Sequence, residues 1–270
     1  MTDILRYAAF SADPSGGNPA GVVLDAGGLN DADMLGIAAA VGYSETAFIT
    51  ADLGNGEYRV RYFSPLAEVP FCGHATVATA VALGPGQHRF RTNSGEVPVA
   101  VDADRVATLT SVAARTEELA GADLEALLAA LRWDRAELDP DLPPRVAYAG
   151  AYHPVVAVRS RERLAELAYD VPALKALMEQ RDWTTIQLVW RASADTFHVR
   201  DPFPVGGVYE DPATGAAAAA FGGYLRELGA SGVVHLRQGD DMGRPGELTV
   251  TLVPGEPGVR VSGAAVPITG

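Results

Sequence analysis

A chain of 270 residues with 48% apolar side chains can bury one large core or two modest ones. It carries 34 acidic against 21 basic residues, a formal charge of -13, and no Lys/Arg block, which excludes the clustered cations that nucleic-acid binding relies on. No apolar run is long enough to cross a bilayer, the first residues show neither the basic stretch nor the apolar core of a signal peptide, so export by that route is not expected, and a single cysteine, Cys72, fits a reducing cytoplasm.

The first half is expected to open with strands at 5–10 and 21–24 and a helix near 33–41, N-capped by Asp31. A strand at 45–50 and the alternating stretch Tyr58-Arg59-Val60-Arg61-Tyr62 follow. Cys72-Gly73-His74 then leads into the apolar run 75–83, and strands at 89–92, 97–101 and 106–110 close the half. A helix at 124–131 precedes Asp139-Pro140-Asp141-Leu142-Pro143-Pro144, which reads as a linker. The second half repeats the order. A strand at 154–158, helices at 163–168 and 173–179, and strands at 185–190 and 196–200 come first. Asp211-Pro212-Ala213-Thr214-Gly215 then opens the run 216–225, with strands at 233–236, 248–252 and 259–261 behind it.

Both Ala-rich runs are apolar all round, the pattern of a helix buried on every side. Strands dominate the rest. The expected fold is therefore α+β, with two pseudo-symmetric lobes, each a mixed, half-barrel sheet wrapped around a central buried helix. The lobes are placed at 1–115 and 145–270, joined by a helix and linker at 116–144, with the last strands able to cross back to the first lobe.

Each central helix begins at a glycine, Gly73 or Gly215. A helix N-terminus offers unpaired N–H groups and partial positive charge, so it can hold a carboxylate without a cationic side chain. The alternative is that each glycine only permits a tight strand-to-helix turn. Glu45 shares a strand face with Ala47 and Ile49, so desolvation is expected to raise its pKa and suit it to both taking and giving a proton; the alternative is a strand-edge glutamate open to water. His74 beside a helix N-terminus favours a neutral ring that can relay a proton or orient a partner. Asp211, before a proline, is a second candidate, against the reading that it only complements a helix start. Cys72 has a threonine, Thr214, at the corresponding place in the second half, so a two-cysteine racemase is excluded and buried packing is its expected role. His88, His153, His198 and His235 lack metal-ligand spacing, and neither phosphate-loop, dinucleotide nor GxSxG fingerprints occur. No metal and no cofactor are expected.

Taken together, the motifs resemble those of the PhzF family. Gly17-Asn18-Pro19-Ala20-Gly21 is similar to its GNPAG segment, Ser44-Glu45-Thr46-Ala47-Phe48 to SETAF, Cys72-Gly73-His74-Ala75-Thr76 to CGHAT, and Glu210-Asp211-Pro212-Ala213-Thr214-Gly215 to EDPATG. Gln238-Gly239 with Met242-Gly243-Arg244-Pro245 resembles a late QG…MGRP segment, so the likeness spans the chain. The resemblance implies a diaminopimelate-epimerase-like fold, a homodimer, and a cofactor-independent isomerase acting on a small carboxylate such as trans-2,3-dihydro-3-hydroxyanthranilate. By the motif matches the catalytic residues would be Glu45, His74 and Asp211. Gly73, Ala75, Gly215, Ala216 and Asn18 would bind substrate. One position departs: where the family reads DPATGSA this chain has Ala216, which removes a hydroxyl but keeps the backbone donors. A non-catalytic carboxylate-binding or regulatory protein is the alternative that Ala216 favours, and a Cys72-dependent hydrolase is the third.

Overall fold

The structure, a computed structural model, describes residues 2–269. The chain forms two compact units: the part up to Thr110 together with the segment from Ser262 onward, and Ser111–Val261.

In the first unit, β1 (Leu5–Ala9), β2 (Asn18–Val23), β3 (Glu45–Gly54), β4 (Glu57–Phe63), β5 (Glu68–Val69), β6 (Gly86–Thr92), β7 (Gly95–Val101) and β8 (Val106–Thr110) accompany α1 (Asp31–Val41) and α2 (Gly73–Leu83). β1 is antiparallel to β2, β2 parallel to β3, β3 antiparallel to β4, and β4 parallel to β6; β6, β7 and β8 then run antiparallel in turn. The last strand, β17 (Arg260–Pro267), pairs with both β8 and β1. The return of the chain's end thus closes the sheet into an eight-stranded barrel and removes two edges that would otherwise expose unpaired backbone groups.

α2 fills that barrel. Residues 74–81 are all buried, as expected for a helix built from Ala, Val and Thr with no polar face. Its buried hydroxyls turn back onto the helix: Thr76 Oγ1 donates to the Cys72 carbonyl at 2.6 Å and Thr79 Oγ1 to that of Ala75 at 2.7 Å, so neither burial leaves an orphaned donor. α1 covers the other side of the sheet, where Met34 and Ala38 pack with Val23, Phe48 and Phe63. Covered on both faces, β3 buries four residues running, 46–49, instead of alternating. The cap of α1 is Asn30, not Asp31. Asn30 has the extended backbone, its side chain accepts from Asp33 N–H, and the Asp33 carboxylate accepts from Asn30 N–H, a reciprocal arrangement that satisfies two donors. Asp31 instead pairs with Arg61 at 2.7 Å.

The second unit contains β9 (Arg115–Glu118), α3 (Gly121–Leu131), β10 (Arg145–Tyr148), β11 (Tyr152–Val158), α4 (Arg161–Ala165), α5 (Val171–Arg181), β12 (Gln187–Arg191), β13 (Thr196–Pro202), β14 (Glu210–Asp211), α6 (Gly215–Glu227), β15 (Gly232–Gln238) and β16 (Gly246–Leu252). From β10 to β16 the pairings are antiparallel, parallel, antiparallel, parallel, antiparallel, the same order of senses as from β1 to β7. The two-residue β14 pairs with the end of β13 just before α6, as β5 pairs with β4 just before α2. The duplication therefore lies in strand pairing, and α6, like α2, is the buried helix, with residues 217–225 all out of solvent.

Residues 116–144 carry more structure than a helix and linker. β9 pairs with β10, the Asp139 N–H donates to Ala157 of β11, and α3 buries Leu124, Leu127, Leu128 and Leu131 in a core shared with Trp133, Leu174 and Met178. An apolar helix stripe has to find a partner, and this one binds the segment to the second unit. No helix among the described residues is long and apolar enough to cross a membrane.

Candidate active site

In the first unit, four segments far apart in sequence meet at the start of α2. Gly17 makes the turn into β2 with φ +55, and a Cβ there would stand 2.2 Å from the Ala9 carbonyl oxygen, so only glycine fits. That turn delivers Asn18, whose side chain is buried with its amide nitrogen 3.1 Å from His74 Nδ1. Parallel pairing of β2 with β3 sets Ala20 opposite Glu45, at the head of β3. Phe48 faces α1, so Glu45 and Ala47, an odd number of positions away, face α2.

Cys72 is the N-cap of α2, and His74 is the second helical residue, 6% exposed. No side chain caps this helix start. An amide N–H pointed at Nδ1 requires that nitrogen to accept, which puts the proton of a neutral ring on Nε2. Nε2 lies 3.4 Å from Glu45 Oε2 and 3.4 Å from Ser44 Oγ, and the Cys72 thiol donates to the same Glu45 oxygen at 3.5 Å. Cys72 Sγ also lies 3.4 Å from His74 Nδ1. The Glu45 side chain is 16% exposed. It is therefore not the unpartnered carboxylate that its sequence stripe suggests: two donors hold Oε2 on a group that keeps a small window to solvent. Cys72 is buried as expected, yet it is also part of the cluster. Directly beneath, the fully buried Tyr62 hydroxyl meets Thr76 Oγ1 at 2.6 Å, and burial pushes its pKa up.

Asn18, Glu45, Gly73, His74 and Ala75 are thus brought together, with Ala75 fully buried in α2. Asp211, Gly215 and Ala216 form the corresponding place in the second unit, at the start of α6. Asp211 Oδ2 accepts from the Thr214 hydroxyl at 2.5 Å, and that hydroxyl consequently does not cap the helix. Gln238 holds the turn. Its Nε2 donates to the Asp211 carbonyl at 2.8 Å, and its Oε1 accepts from Thr214 N–H at 2.9 Å. Gly239 follows with φ +82, where a Cβ would meet the Pro212 carbonyl oxygen at 2.8 Å and that of Arg244 at 2.3 Å. The late motif is therefore a brace for the DPATG turn.

Two buried networks lie behind Asp211. Glu210 and Arg200 form a bidentate pair at 2.9 and 2.5 Å, and Arg200 also donates to the Ala165 carbonyl at 2.8 Å. Asp201, opposite Asp211 in the strand pairing, is fully buried and accepts from Thr185 Oγ1 at 2.7 Å. With its amide nitrogen turned inward, Gln187 donates to it as well. Burial first, and then the nearby Asp211 and Glu210 charges, push the Asp201 pKa well above the usual carboxylate range. Thr185 in turn meets His153 Nδ1 at 2.9 Å. Sequence reasoning missed Ser44, Gln238, Asp201 and the role of Cys72. Ser44 and Gln238 lay inside segments already marked by their motifs, whereas Asp201 carries no sequence signal of its own.

The family model described as phenazine biosynthesis-like protein, PhzC-PhzF, matches residues 7–270. An uncharacterized isomerase of Deinococcus radiodurans is 33% identical, with 93% of this chain and 87% of the relative covered. The uncharacterized isomerase YddE of Escherichia coli O157:H7 is also 33% identical, over 97% of this chain and 95% of the relative. The crystal structure of a Bacillus anthracis phenazine biosynthesis protein of the PhzF family superposes with a TM-score of 0.87 at 26% identity, covering 99% of this chain and 97% of that one. The fold class is α+β of the diaminopimelate-epimerase type.

Proposed function

The chain belongs to the phenazine biosynthesis-like PhzC-PhzF family, and from that premise we propose that it is a cofactor-independent isomerase or epimerase that moves a proton between carbon atoms of a small carboxylate. The observation that carries this reading is the meeting of Glu45 and His74 at the uncapped start of a helix buried along its length. Glu45 takes a proton from one carbon and returns it to another, so no redox partner is needed. His74 and Cys72 aim the carboxylate, and Asn18 fixes the imidazole in the tautomer that presents Nε2–H to it. The N–H groups at Gly73, His74 and Ala75 and the positive end of α2 stabilise negative charge on bound carboxylate or on the carbanion-like transition state. In the second unit, Asp211 and the N–H groups at Gly215 and Ala216 are this reading's substrate-binding residues. A homodimer is part of the same proposal and is read by light scattering.

The test is deuterium incorporation at carbon when hydroxylated or unsaturated cyclic carboxylates are incubated in D2O. Glu45→Gln should lower the exchange rate roughly 10²–10⁴-fold, the usual contribution of a positioned acid/base. Equal exchange by both proteins would remove Glu45 from the mechanism. Cys72 beside His74 keeps a second reading, thiol-dependent hydrolysis, in view. Under that reading, complete alkylation of Cys72 abolishes ester or amide cleavage; unaltered turnover after modification eliminates it.

A further inference from the structure

Glu45, Cys72 and His74 bring a carboxylate, a thiol and an imidazole within reach of one another, a donor set that the scattered histidines and lone cysteine of the sequence do not advertise. The three separations are 3.5 Å for Sγ to Oε2, 3.4 Å for Nε2 to Oε2, and 3.7 Å for Sγ to Nε2. A tetrahedral zinc ion with bonds of about 2.3 Å to sulfur and about 2.0–2.2 Å to nitrogen and oxygen sets its ligands about 3.4–3.6 Å apart. The separations suit such an ion, but Cys72 Sγ is also 3.4 Å from His74 Nδ1 and so lies beside the ring, and coordination through Nε2 needs the imidazole to turn about its side-chain bonds.

We infer that Glu45 Oε2, Cys72 Sγ and His74 Nε2 form a binding site for a thiophilic divalent cation of the zinc class, and that the bound ion takes the acid/base out of service. Binding displaces the thiol proton. Cys72 sits at the N-cap of α2, so its sulfur stands at the mouth of the helix start. One thiolate and one carboxylate neutralise the ion, which suits a mostly buried location. The imidazole proton shifts from Nε2 to Nδ1, so Asn18 must turn its carbonyl oxygen to that nitrogen. This requires the buried Asn18 amide to reverse and exchange its present contacts, and it gives the hydrogen bond behind the ring that orients metal-bound histidines. With three protein ligands, the fourth position is left to water or to a substrate carboxylate. Occupancy suppresses proton transfer by Glu45, because a cation bound at Oε2 draws charge from the whole carboxylate and leaves Oε1 a poor base. This inhibitory consequence rests on the isomerase reading; metal binding itself does not.

The probe is Co2+, with Zn2+ as competitor. Titrating the intact protein should produce a thiolate-to-cobalt charge-transfer band in the near ultraviolet that saturates at one ion per chain and is erased by Zn2+. Cys72→Ser should lose the band. In competition with a chromophoric chelator, Glu45→Gln and His74→Gln should each lower Zn2+ affinity at least about tenfold, circular dichroism confirming that both are folded. Asn18→Asp keeps all three ligands and supplies a stronger acceptor to Nδ1, so it should tighten Zn2+ binding by about tenfold, a gain that misfolding cannot produce. No band at excess Co2+, equal Zn2+ affinity in wild type and Glu45→Gln, or weaker binding in Asn18→Asp each overturns the site. Zn2+-loaded protein should lose deuterium exchange and regain it with chelator; full exchange with the ion bound overturns the inhibitory role. If no carboxylate exchanges under any condition, the isomerase reading fails, and the cobalt band still decides the metal site.

Discussion

Acid should unfold this protein in part through one histidine. His153 is fully buried, its Nδ1 meets Thr185 Oγ1, and its Nε2 has no hydrogen-bond partner among the described residues. Burial brings its pKa down from 6.5 to about 3, because the site cannot solvate an imidazolium. The folded value is depressed, so between the two pKa values the unfolded chain binds one proton more than the native one. The contribution is therefore fully present above the unfolded value and is lost as pH falls through the window, by about 1.4 kcal/mol per pH unit, on the order of 5 kcal/mol over its whole width. Asp201, joined to His153 through Thr185, works in the opposite direction. Its raised pKa gives stability that is full below 3.8 and is lost as pH rises through the folded value. The clean measurement is thus a difference: unfolding free energies in urea of wild type and His153→Asn, between about pH 4.5 and about pH 7.5. Asn places a polar atom near the Nδ1 position and cannot titrate. It leaves ring volume unfilled, so the variant should be less stable at neutral pH. The gap between the two proteins should then narrow by about 1.4 kcal/mol for each pH unit below 6.5. A gap that stays constant across the range would show that His153 does not titrate on unfolding, and would refute the reasoning.

Glu210→Ala removes the bidentate partner of Arg200, whose side chain is 9% exposed and which keeps only Asp241 at 3.8 Å and main-chain carbonyls, so it should cost about 3 kcal/mol in chemical denaturation, while the double variant Arg200→Met with Glu210→Leu costs less; equal or larger loss in the double variant contradicts this. Gly17→Ala forces a Cβ against the Ala9 carbonyl oxygen at a left-handed backbone position, and should destabilise by more than about 1 kcal/mol while also lowering deuterium exchange through the displaced Asn18; an unchanged melting temperature would show that the turn relaxes freely. Gln238→Leu removes the partners of Thr214 N–H and the Asp211 carbonyl, both at the brace of α6, at about 1–3 kcal/mol for each group left unpaired; faster amide exchange at Thr214 is the specific signature, and unchanged protection refutes it.

What the sequence determined by itself is local. The two apolar runs of small side chains read as buried helices, so α2 and α6 were legible as the centres of their units, and the repeated element order pointed to a duplicated architecture, whereas the order of strand pairing came only from the structure. The motif segments marked where backbone must turn tightly, at Gly17 and ahead of α2 and α6. Tertiary structure decided what those segments do to one another. Glu45 and Cys72 are 27 positions apart and Thr214 and Gln238 are 24, distances over which periodicity carries no information. Register brought Ala20 opposite Glu45, and the choice of face aimed that carboxylate at α2. Closure of the first barrel needed the end of the chain to find β1 and β8, a non-local pairing that no window of sequence reports. The same holds for Asp201, whose burial beside Thr185 and Gln187 depends on β13 meeting β12 and the residues that lead into it. A residue's own spacing says which face it can occupy; only the packed neighbours say whether that face is solvent, core or a partner's side chain.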